Sequence, residues 1–77
     1  MTLLYYAVGN NLGMRAETEN TVAYFILGSG GQWESNDYVL RCMLGYEDGI
    51  PPVISEPVAR MHFAKLYQTL DFPTPVV

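Results

Sequence analysis

The chain holds one cysteine, one histidine and four basic residues among 77. Each scarcity removes a class of chemistry. A single thiol, Cys42, cannot close an internal disulfide, and a lone imidazole, His62, falls short of the common zinc ligand sets. Neither staple is open to a fold this small. Arg15, Arg41, Arg60 and Lys65 can neutralise only a few phosphates, and with a net charge of −4 the chain is not expected to bind nucleic acid directly. Long apolar runs are missing too. The opening MTLLYYAV has no basic flank and gives way to polar turn residues after about one strand's length, which excludes a signal peptide and a membrane span. With a free cysteine and no targeting segment, the expected location is a reducing cytoplasm, and the start at Met1 reads as that of a complete small protein.

What is present is apolar and aromatic. Half the chain (49%) is hydrophobic, with one tryptophan, six tyrosines and three phenylalanines. A domain of this size hides only about 60% of the surface its unfolded chain exposes, so this endowment predicts a surface that meets a partner or a second copy. The acidic balance suits a basic partner, and it equally keeps a small domain soluble.

Leu3–Val8 reads as a strand, with Leu3, Tyr5 and Ala7 on one face and Leu4, Tyr6 and Val8 on the other, both faces covered. Gly9, Asn10, Asn11 and Gly13 read as a turn, Met14–Glu17 as a short return strand and Glu19-Asn20 as a second turn. Thr21–Leu27 (TVAYFIL) fits a central strand. It also fits a helix from an N-cap at Thr18 to a C′ glycine at Gly28, since Val22, Phe25 and Ile26 keep helical spacing. After the glycines, Ser35 or Asn36 can cap a helix with Asp37 in its first turn and Tyr38, Val39, Cys42, Met43 and Tyr46 as its stripe, ended by Gly45. Glu47-Asp48-Gly49 then turns, and Pro51-Pro52 forces extended backbone. The clearest element is the last: Ser55 as N-cap, Glu56 and Pro57 in the first turn, and Ala59, Phe63, Leu66 and Leu70 along one face with Tyr67 at its edge. Met61, Lys65 and Gln68 lie opposite. Pro73 and Pro75 stop the helix and leave a frayed or packed tail. The expected architecture is α+β: one domain, residues 1–77, with a two- or three-stranded antiparallel sheet packed against one or two C-terminal helices.

The stretch ILGSGGQWES invites a phosphate-loop reading and fails it. A dinucleotide fold needs G-x-G-x-x-G in a βαβ unit, and a P-loop needs a lysine and a hydroxyl after its last glycine. Here Gln32-Trp33-Glu34 follows, and an acid beside the pocket repels a phosphate. The glycines read as a turn that presents Trp33. On such a loop, Trp33 becomes an aromatic anchor rimmed by Glu34 and Asp37, or it folds back to lid the core. Cys42 and His62 are the one conceivable nucleophile and base, with no oxyanion hole or orienting group marked beside them. The carboxylates show no catalytic or metal-binding spacing, so no catalytic residue, cofactor or metal is assigned.

Function is therefore expected to lie in a surface. The residues assigned to partner binding are Trp33, Glu34, Asp37, Tyr6, Tyr46, Glu47 and Asp48. The expected partner is a larger protein or ribonucleoprotein complex with a basic surface, and the alternative is a self-assembling homo-oligomer, a homodimer being its simplest form. In general profile the chain resembles the small acidic inhibitors that phages and mobile elements direct against host machinery, anti-CRISPR proteins among them. The likeness is one of size, charge and missing chemistry rather than of any motif.

Overall fold

A computed structural model of the chain describes residues 1–47 and 49–75. Its elements are β1 (Thr2–Val8), β2 (Asn11–Glu17), β3 (Val22–Leu27), β4 (Trp33–Ser35), α1 (Tyr38–Met43), β5 (Val53–Ile54) and α2 (Glu56–Tyr67). The strands form one antiparallel sheet in the order β4-β3-β2-β1-β5. The fold is α+β, but the sheet has five strands rather than two or three, and α1 lies in mid-chain, ahead of β5. The two extra strands are three and two residues long. That is too short for an alternating pattern to show, and pairing with β3 and β1 is what makes them strands.

The first hairpin turns on Gly9-Asn10, with Val8 opposite Asn11. Gly9 has φ +58 and Asn10 no positive φ, as a type II′ turn with glycine at its first central position requires. Asn11 and Gly13, expected in the turn, belong to β2. Within TVAYFIL, Val22–Leu27 is a strand, since β2 on one side and β4 on the other take up the backbone groups that a helix would have satisfied internally.

The pleat sorts side chains between two helices. On one face Tyr5, Leu12, Met14, Ala16, Phe25 and Leu27 pack with Ala59 and Phe63 of α2. On the other, α1 buries Val39 and Cys42 and approaches so closely that a Cβ at Gly13 would lie 3.0 Å from the Val39 and Val8 methyls. A glycine inside a strand here marks close backbone approach.

Both helix ends follow local chemistry. In α1 the Asn36 side chain, not a cap at Ser35, accepts the Tyr38 N–H at 2.8 Å, and Asp37 occupies the N-cap position itself. The helix closes where Gly45 (φ +87) lets its own N–H reach Cys42 O and that of Tyr46 reach Arg41 O, a Schellman pair. In α2 the Ser55 Oγ accepts the Val58 N–H at 3.4 Å. The inward stripe of α2 is Ala59, Phe63 and Tyr67, whereas Leu66 and Leu70 are exposed, a correction to the expected face. The helix stops at Tyr67, a turn short of Leu70, because Gln68 turns left-handed.

An aromatic cluster closes the α2 side. Tyr5 and Trp33 rings lie 6.4 Å apart although β2 and β3 separate their strands, so the sheet curls toward this side. Phe72 fills the gap at 5.6 Å from Tyr5, 6.0 Å from Trp33 and 5.4 Å from Phe63. The tail is packed as far as it is described, and Val76 and Val77 lie outside the described residues.

Candidate protein-binding surface

Neighbouring residues of a strand face opposite sides, and this separates the anchor from its expected rim. Trp33 turns to the α2 side, folds back as a lid, and donates from Nε1 to Pro73 O at 3.0 Å. Glu34 turns the other way, and its carboxylate lies where a Cβ at Gly28 would be. The glycine loop thus presents no protruding anchor. Tyr67 fixes it instead, with its hydroxyl donating to Gly28 O at 2.7 Å and its ring 3.5 Å from the Cβ position of Gly31.

Tyr6 is 2% exposed, buried on the α1 side opposite Gly13, and has no surface to offer a partner. Burial first, and the neighbouring Tyr24 second, hold its phenol above the ordinary value. Tyr5 is buried on the other face, and burial, with the Glu56 carboxylate, raises its phenol too. Two adjacent tyrosines therefore serve two halves of the core.

Asp37, Tyr46 and Glu47 do come together. Arg41 joins them: its guanidinium lies 3.3 Å from Asp37 Oδ1 and 3.5 Å from Glu47 Oε2. This clamp ties the turn after α1 back onto the helix and leaves two carboxylates to one cation. Tyr46 projects from that turn. Asp48, the remaining assigned residue, lies outside the described residues.

Around Tyr46 the structure adds four apolar neighbours that sequence reasoning did not assign to a surface: Met43, Leu44, Ile50 and Val53. Met43, Leu44, Tyr46, Ile50 and Val53 are 46–76% exposed between the last residue of α1 and the first of β5. Val53 pairs with Tyr6 and so shares the α1 face, while Ile50 lines an open depression of about 260 Å³ with Tyr38, Pro51 and Pro52. Met43 reaches toward the sheet, its sulfur 4.0 Å from the Tyr24 hydroxyl, which in turn accepts from Arg15 Nε at 3.3 Å. The available signal was a run of apolar residues among Gly45, Gly49, Pro51 and Pro52, where no regular element could bury them.

Cys42 and His62 do not meet. Cys42 is buried under α1, and His62 sits on α2 across the sheet, its Nε2 2.9 Å from Asn10 O. Among the described residues no three His, Cys, Asp or Glu side chains converge as a metal ligand set, and no helix is long and apolar enough to cross a membrane. No family model matches the chain, and neither a curated protein nor a solved structure matches it.

Proposed function

We propose that this chain is a non-enzymatic protein-binding module, an inhibitor or adaptor in type, that docks a larger protein or ribonucleoprotein complex through the α1–β5 connection. The observation that carries this reading is the concentration of Met43, Leu44, Tyr46, Ile50 and Val53 at the surface of one short segment. Exposed apolar groups gathered in one place and rimmed by charge are characteristic of protein-binding sites. The rim supports a basic partner, because Asp37 and Glu47 outnumber Arg41. Tyr46 is the natural anchor, since a tyrosine brings a large rigid ring and a hydroxyl at little entropic cost.

The test is affinity capture from nuclease-treated host lysate with the wild-type chain and with Tyr46→Ala. Truncating an anchor costs about 2 kcal/mol or more of binding. The stoichiometric partner held by the wild type should therefore be lost from the variant while the variant's circular dichroism stays unchanged. A partner retained equally by both would refute this surface.

A further inference from the structure

Residues 71–75 cross the core without joining the sheet. Phe72 enters a groove lined by Tyr5, Trp33 and Phe63, with the Arg60 guanidinium stacked 4.8 Å from its ring centre. Pro73 accepts from the Trp33 indole, and Pro75 is buried. The segment's own backbone contributes little. Its Phe72 N–H turns back to Leu70 O, and prolines 73 and 75 have no N–H to give. The rings of Phe72 and Pro75 and one indole bond therefore hold it in place.

The hinge that directs it there is strained. Gln68 has φ +55, the one non-glycine with positive φ among the described residues. Beyond the hinge, Leu70 is 86% exposed, in line with the half-exposed Leu66 that precedes it by four residues. With Gln68 in the right-handed region α2 would continue by about one turn, to where Pro73 stops it. Leu66 and Leu70 would then share one helical face, and Phe72 would be carried out of its own chain's groove.

We propose that the groove of Tyr5, Trp33 and Phe63 takes residues 71–75 of a second copy of this chain, giving a dimer by reciprocal exchange of C-terminal segments. The occupant is argued from the groove's present content: an identical segment makes identical contacts, so exchange gives up nothing there. Two strained Gln68 hinges are relaxed, and Leu66 and Leu70 gain a helical face to bury. Short strained hinges favour such exchange. The tether holds the segment at high local concentration, so the monomer dominates in dilute solution and the dimer grows with concentration. The groove lies on the α2 side, away from the α1–β5 surface, so this inference stands or falls independently of the proposed function.

The experiment is sedimentation velocity on the full chain up to about 1 mM, the range of effective concentration that short tethers give. Wild type and Gln68→Ala, which keeps the left-handed strain, should dimerise. Gln68→Gly removes that strain from the monomer and should weaken the dimer by about tenfold for each hinge. A wild type and Gln68→Ala that stay monomeric would overturn the proposal, as would equal dimerisation of all three, which locates the contact elsewhere. A second reading uses the single tryptophan. A synthetic peptide of residues 69–77 should shift Trp33 emission saturably in Phe72→Ala; no shift in a folded variant contradicts the exchange, and an unfolded variant leaves the decision to the Gln68 series.

Discussion

Tyr5 and Tyr6 show how much one strand position decides. Their phenols are held above the ordinary value near 10, on opposite faces, by the same cause, burial. Below pH 10 both folded and unfolded chains keep these protons, and the full stability is present. As pH rises past that value the unfolded chain releases them first, so stability falls until the folded phenols titrate as well. Urea midpoints measured from about pH 8 to about pH 11 should be level at first and then drop. Tyr6→Phe, which keeps the ring, should flatten the drop; an unchanged slope would mean that Tyr6 titrates freely. That both rings are buried was half legible, since a strand with aromatics in both sets implies two covered faces. Gly13 was not legible. It stands in a run with Gly9, Asn10 and Asn11 and reads as a turn residue, and only the arrival of Val39 from α1 shows that a side chain there would crowd the Val39 and Val8 methyls.

At the scale of elements, what could be read was what local chemistry determines. Ser55, Glu56 and Pro57 mark a helix start through a cap, a dipole and an amide that needs no partner, and α2 begins there. Ser55→Ala should cost about 1 kcal/mol, visible as a lowered urea midpoint with an unchanged slope. No change would show that the 3.4 Å cap bond contributes nothing. The end of α1 at Gly45 was legible for a similar reason, a backbone conformation that glycine adopts freely. The end of α2 was not, because Gln68 carries no such signal and Leu66 and Leu70 keep helical spacing across it. The left-handed turn at Gln68 leads the chain to Phe72, whose neighbours Tyr5 and Trp33 are distant in sequence. β4 and β5 were missed because three and two residues are too few to show an alternation, and β5 also pairs with a strand far away in sequence.

The whole molecule places its two surfaces on opposite sides of a curled sheet. On the α2 side the C-terminal segment closes an aromatic groove, and on the α1 side an acidic clamp carries exposed apolar residues. Of the assigned site residues, Asp37, Tyr46 and Glu47 converge, because Arg41 lies one helical turn from Asp37 and bonds to both carboxylates. Trp33 and Tyr6 were drawn inward, since a core this small recruits its largest rings wherever the pleat allows. The exposed apolar residues could not be identified without knowing which apolar residues the sheet had left uncovered.

The most direct measurement is hydrogen exchange on the chain alone and bound to its captured partner. Binding through the α1–β5 surface should slow exchange across residues 38–53 and leave the amides around Trp33 and Phe72 unchanged. Protection confined to the Trp33 and Phe72 region, with residues 38–53 exchanging as freely as before, would contradict the account.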